Sequence, residues 1–267
     1  MKHSFLFILT IACMLSACAQ RTNPTTKEKV VAPNQQQLPQ VNQPQQQQQQ
    51  NVNAPFYPNA STPTRGAEKG SYDGEILLPP SPDGIPNEVP KNRSADKSTV
   101  QVAVLLDTSN SMDGLIDQAK SQLWKMVNEL SMAKDEAGKV PNLEIGLYDY
   151  GNDNIAEQYG HVRLIMPFTD DLDLISEKLF ALSTKGGEEY CGLVIHTSLA
   201  QLHWTSKNTD LRFIFIAGNE AFTQGPYDYK KACEEAAAKN VMINTIFCGD
   251  YEKGVATKWK DGAKCAN

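Results

Sequence analysis

Asp107, Ser109 and Ser111 stand at alternate positions in LLDTSNSMDGL, residues 105–115. One carboxylate and two hydroxyls at that spacing are hard oxygen donors, suited to Mg²⁺, Mn²⁺ or Ca²⁺ rather than to a soft metal. The same residue types also make ordinary turns and helix caps. Two further segments are rich in oxygen donors and small residues. TKGGEEYCG (184–192) offers Thr184, Glu188 and Glu189, and AGNEAFTQG (217–225) offers Asn219 and Glu220. A site exists only if the fold brings the three segments together.

The surrounding pattern predicts elements that could do so. VQVAVLL (100–106) is almost wholly apolar, as a parallel strand covered on both faces must be. Over 111–133, Met112, Leu115, Ile116, Ala119, Leu123, Met126, Val127 and Leu130 recur at spacings of three and four, which predicts a helix with one buried face. Strands follow at 143–150, 161–168 (an edge), 211–217 and 241–248. Helices are expected over 171–183, over 191–204 and in YDYKKACEEAAAKN (227–240). Such alternation implies an α/β domain with an open, mostly parallel, Rossmann-like sheet and helices on both faces. In that architecture ligands sit outside the carboxyl ends of the strands, near the point where strand order reverses. All three donor-rich segments belong to that edge.

The first hundred residues have another character. Lys2 and His3 precede an apolar run, Phe5–Leu15, too short to span a bilayer, and the run ends in Leu-Ser-Ala-Cys. That ending resembles the bacterial lipobox. It implies a signal peptide over 1–17, a lipid-bearing Cys18 and a membrane-anchored protein of the bacterial envelope, held at the outer membrane on its periplasmic or surface side. Residues 18–98 are dominated by Gln, Asn and Pro and cannot bury enough apolar surface to offset their ordering entropy. They read as a disordered tether with a reach of roughly 50 Å. Tyr72, Ile76, Leu77 and Leu78 read as a less polar part of that linker, with docking onto the domain as the alternative. A net charge of −6 without a long basic run excludes nucleic acid as the main partner.

From 99 onward the chain resembles a von Willebrand factor A (VWA) domain. The resemblance rests on DTSNS, which matches that family's DxSxS element, on Met112 after it, and on the element order through about residue 250. It implies that Ser109 and Ser111 bind a dication directly while Asp107 acts through water. It also implies that an acidic side chain of a partner protein fills the open position. Two loops depart from the usual pattern: Glu188 and Glu189 follow the paired glycines where many members have Thr, and Asn219 stands where many have Asp. The set Asp107, Ser109, Ser111, Glu188 and Asn219 nevertheless keeps two negative charges, with Thr184, Glu189 and Glu220 as alternatives. The function implied is a metal-dependent protein-binding module with no enzymatic activity and with loops 149–160 and 219–228 setting specificity. Its rivals are a metal-dependent hydrolase, with Glu189 or Glu220 as base, and a metal-free scaffold.

Four cysteines follow the lipobox, and sequence alone does not choose among their three complete pairings. Cys191 and Cys248 both fall at the expected site edge, where a bridge would staple the loops. Cys233 reads as a buried free thiol. His196 and His203, seven apart, read as partly buried helix residues. The nineteen residues after Cys248 supply about one helix, where the resembled family adds a strand and a closing helix. The chain is thus expected to be a short variant or a truncated one, with an uncovered last strand.

Overall fold

The computed structural model describes residues 76–266 except 89, 91, 92, 95, 136 and 137. Cys18 and the Gln-rich tether lie outside the described residues. Five strands form one sheet: β1 (Thr99–Asp107), β2 (Asn142–Tyr150), β3 (Val162–Thr169), β4 (Leu211–Gly218) and β5 (Met242–Phe247), in the order β3-β2-β1-β4-β5. All pairings are parallel except β2–β3. Strand β1 runs in register between β2 and β4, and each of its nine residues is buried. A strand with covered faces and two paired neighbours can be apolar throughout.

The pleat sorts its side chains into two cores. Val100, Val102, Val104 and Leu106 face α1 (Ile116–Met132) and α2 (Leu172–Ala181). Ala103 and Leu105 face α3 (Cys191–Gln201) and α4 (Tyr229–Ala238). The sheet is therefore open and mostly parallel with helices on both faces, as the alternation implies. The predicted helix over 111–133 begins later. Residues 110–112 form a single 3₁₀ turn, Gly114 takes a left-handed φ of +78°, and α1 starts at Ile116. The terminal nineteen residues hold two short helices rather than one, α5 (Tyr251–Ala256) and α6 (Trp259–Gly262).

The packed body starts before residue 99. Ile76 rests on one core and Ile85 on the other, so this segment crosses the sheet edge opposite Asp107. Gln201 Nε2 donates to the Pro79 carbonyl at 2.6 Å, and Asn87 Nδ2 donates to the Gln201 carbonyl at 2.8 Å. Leu77 and Leu78 stay exposed, as linker residues would, whereas Ile76 does not. The linker reading thus fails at Ile76, because a single isoleucine in a Pro-rich run carries no periodicity to favour docking.

Arg93 makes a fork–fork pair with Glu144, both bonds at 2.8 Å, and Gln101 Nε2 donates to the same carboxylate. Glu144 has almost no contact with water. Arg93→Ala should therefore cost about 3 kcal/mol, since it leaves a buried charge unpaired. Adding Glu144→Gln should recover part of that loss in urea unfolding, whereas an exposed pair would give no such recovery.

Candidate functional site

The order β2-β1-β4 places the reversal of strand order between β1 and β4; Asp107 is the last residue of β1 and Asn219 follows the end of β4. Asp107 is fully buried. Its Oδ1 accepts the Ser109 backbone N–H at 2.8 Å, which closes the turn. Its Oδ2 is equally buried and has no hydrogen-bond partner. An uncompensated carboxylate oxygen in that position is costly.

Two serines and an asparagine lie on the loops beside the Asp107 carboxyl. Ser111 Oγ donates to Asn219 Oδ1 at 2.8 Å, and Asn219 Nδ2 donates back to the Ser111 carbonyl at 2.7 Å. The serine hydroxyls lie 2.9 Å apart. Ser111 has one hydrogen, given to Asn219, and Ser109 Oγ keeps lone pairs to offer. Neither serine caps a helix, because the 3₁₀ turn and α1 both lack a side-chain cap. DTSNS is thus not a helix cap.

The adjacent glutamates part company. Glu189 is buried. A methyl group on Gly151 would meet Glu189 Cγ at 2.9 Å and Asp107 Oδ1 at 3.0 Å, so the two carboxylates flank one small volume that only a glycine leaves free. Glu188 is exposed and accepts from Gln224 Nε2 at 3.1 Å. Thr184 donates to Asp113 and stands apart. Glu220 is half-buried and acts on Glu189 through its charge. The arrangement thus gathers Asp107, Ser109, Ser111, Asn219 and Glu189, with Glu189 in the place expected for Glu188. Among the described residues no group of three or more His, Cys, Asp and Glu forms a metal cluster. The site has two carboxylates, completed by hydroxyl and amide oxygens.

Burial pushes the Asp107 carboxyl from 3.8 up to about 7; the Ser109 N–H pulls it down and the Glu189 charge raises it further. Burial also raises Glu189, with Glu220 adding to it. A dication fits this donor set: two carboxylates oppose each other's ionisation, one oxygen is orphaned, and hydroxyl and amide oxygens lie beside them.

Sequence reasoning missed the residues that tie the loops. Asn152 is buried and its Nδ2 reaches the Thr108 carbonyl, Thr108 Oγ1 and the Ser183 carbonyl at 3.1–3.2 Å. Lys185 N–H donates to the Thr108 carbonyl and Asp153 N–H to the Gly186 carbonyl. Only a lone Asn after the second strand marked this in the sequence.

The expected Cys191–Cys248 staple is absent, and the bridge is Cys233–Cys265, with Cα atoms 5.6 Å apart. The sheet explains the difference. Cys191 packs in the core of one face and Cys248 against the core of the other. Cys233, on the buried side of α4, instead meets the returning C-terminal segment. Burial pushes the Cys248 thiol up to about 12 and raises Cys191 further, so neither is a thiolate nucleophile at neutral pH. His196 Nδ1 pairs with Glu235 at 2.6 Å, and His203 is exposed.

No protein-family model and no curated protein matches the chain. Solved structures do. The VWA domain of SpRpn10 is 14% identical, with 64% of this chain and 82% of that one covered and a TM-score of 0.47. The pilus adhesin SpaC from Lactobacillus rhamnosus GG is 11% identical, with 66% and 27% covered and a TM-score of 0.46. The three N-terminal domains of the type V pili tip protein Mfa5 from Porphyromonas gingivalis are 16% identical, with 47% and 20% covered and a TM-score of 0.36. The architecture of this chain stands on its own strand order and register.

A carboxyl raised on folding holds its proton in the folded state between pH 4 and 7, where the unfolded chain has lost it. Its contribution to stability is therefore full below about pH 4 and is lost as pH rises to about 7. Asp107→Asn should flatten that slope. Without added metal the variant should be the more stable protein at pH 8, by about 2 kcal/mol, and much closer to the parent at pH 4.5. Thermal midpoints of both proteins across pH 4–8 check this.

Proposed function

We propose that the chain is a divalent-metal-dependent protein-binding module, anchored to a bacterial envelope membrane through lipid on Cys18, with no catalytic role. The observation that carries the reading is the buried, unpartnered Asp107 Oδ2 at the strand-order reversal, on a carboxylate whose other oxygen lies on the side of Glu189 and Ser109. Mg²⁺, with Mn²⁺ or Ca²⁺ as alternatives, would be held by Asp107, Ser109, Ser111, Asn219 and Glu189, with Glu188 outside that set. Bound there, the cation supplies an electrophilic position for a carboxylate of the partner. The chain's own residues do the rest. Asp107 and Glu189 offset the charge, Ser109 and Ser111 face the ion with lone pairs, and Asn219 fixes the Ser111 side chain.

The rim adds a condition on the partner. Asp113, Asp153, Glu188 and Glu220 lie on the site loops and are exposed or half-exposed, against the single cation Lys185. A carboxylate arriving there is repelled unless basic residues accompany it. The partner's acidic side chain would then sit in a cationic segment.

Saturating Mg²⁺ should raise the thermal midpoint of the wild type, because a ligand that binds only the folded state stabilises it by mass action. Ser109→Ala/Ser111→Ala and Glu189→Gln should each remove most of that rise, and Glu188→Gln should leave it intact. An equal rise in the wild type and the double-serine variant would exclude the site. A pull-down from envelope extract with and without EDTA then reports whether partner capture needs the metal.

A further inference from the structure

The geometry points to Trp259 as a positioning residue for the site, and to the Cys233–Cys265 disulfide as the lock that holds it; the inference rests on the metal-binding reading for its consequence. The third site loop leaves β4 at Gly218 and carries Asn219 and Glu220. Nothing in β4 itself fixes that loop beyond Gly218. What grips it is the C-terminal segment. Trp259 Nε1 donates to the Glu220 carbonyl at 2.6 Å, and Phe222 N–H donates to the Thr257 carbonyl at 2.9 Å. The Trp259 ring is 2% exposed and stands edge-on to Phe222 at 5.1 Å. Its far edge lies 3.0 Å from the point a methyl on Gly218 would occupy, a point also 3.0 Å from Asp107 Oδ2. The indole therefore forms a wall of the same small space that holds the orphaned oxygen. Asn219 is thus held from two sides, by its paired hydrogen bonds to Ser111 and by the indole hold on the next residue's carbonyl.

That clamp has few anchors of its own. Helix α6 is four residues long and follows Lys258, which sits at a left-handed φ of +75°. Such a helix does not persist alone. It is pinned to β5 by Thr245 Oγ1 donating to the Trp259 carbonyl at 2.9 Å, and to α4 by Tyr229 OH donating to Asp261 Oδ2 at 2.5 Å. The covalent pin is Cys233–Cys265, which joins α4 to the segment just past α6 across 32 residues of chain. Breaking it frees the end of the segment, loosens the indole and lets Asn219 leave its place against Ser111. Residues that orient metal-holding side chains affect affinity almost as strongly as those side chains do. The site would then sense the thiol–disulfide state of its surroundings through a bond that touches none of its proposed ligands.

The test compares oxidised full-length protein with Cys233→Ser/Cys265→Ser and with Trp259→Phe, which keeps an aromatic ring but removes the Nε1 donor and the far edge that faces Gly218. Amide hydrogen exchange without metal is read first. Both variants should exchange roughly tenfold faster over 219–224, with β1 and β2 unchanged. Mn²⁺ affinity is read second and should weaken roughly tenfold in both. Treating the wild type with a phosphine reductant should reproduce the Cys233→Ser/Cys265→Ser result. Unchanged exchange over 219–224 overturns the clamp, and so does acceleration spread evenly through the sheet, which marks a merely structural role. Local acceleration with undiminished Mn²⁺ affinity overturns the positioning role. If the wild type binds no Mn²⁺ while 219–224 still loosens locally, the metal reading fails and the clamp on the loop stands.

Discussion

Asp107 sits where the chain can least accommodate a charge. It ends a strand that is buried along its whole length, with β2 paired on one side and β4 on the other. One of its oxygens closes the following turn, and the other is buried without a hydrogen-bond partner. The remaining features of the site edge can be read as consequences of keeping that carboxylate in place. Asn152 ties the first and second loops around it, and Ser111 and Asn219 lock the first loop to the third. Each bond fixes a neighbour of Asp107 without satisfying Asp107 itself. A single isolated carboxylic acid in an apolar core would be a defect. Placed where three loops converge and beside a second carboxylate, it has the charge and the oxygen neighbours that the proposed dication would need.

Most of the architecture was legible in the sequence because it rests on periodicity. The apolar run of 100–106 required burial on both faces, and the three-four spacing over 112–130 required one helix face on the core. Both follow from geometry that does not depend on distant residues. The DxSxS spacing was legible for a similar reason, since alternate residues after a buried strand fall within one tight turn. The start of α1 was harder. Met112 and Leu115 fit the helical period, yet Gly114 in the left-handed region interrupts it. Met112 is buried through the 3₁₀ turn instead.

What could not be read were choices made by tertiary contact. Glu188 and Glu189 are adjacent, chemically identical and in a loop, so no period distinguishes them. The fold does, because Gly151 leaves room for one carboxylate beside Asp107 while Gln224 engages the other outside. The charge at the site is two in either case, so counting charge does not distinguish the two glutamates. The cysteines follow the same logic. Position along the chain put Cys191 and Cys248 at one edge, but not on one face, and a sheet between two thiols prevents their bridging. The route of the C-terminal segment, which brings Cys265 to Cys233, has no signature in residue pattern at all.

The strain at Asp107 raises the question of why the strand does not relax to relieve it. The answer lies in register. Relief would require β1 to slide so that position 107 moves outward toward water. β1 makes nine aligned pairs with β2, from Thr99 with Asn142 to Asp107 with Tyr150, and seven more with β4. A slip of one residue would turn Val100, Val102, Val104 and Leu106 toward α3 and α4, and Ala103 and Leu105 toward α1 and α2. Alanine and leucine would then stand where valines are fitted, and voids and overlaps would appear on both faces at once. Each mismatch of that sort costs about 1–3 kcal/mol, and half a dozen occur together, which exceeds any gain from hydrating a single carboxylate. The central strand therefore holds Asp107 in place by the packing of residues that never touch it, and the site can stay assembled whether or not anything is bound there.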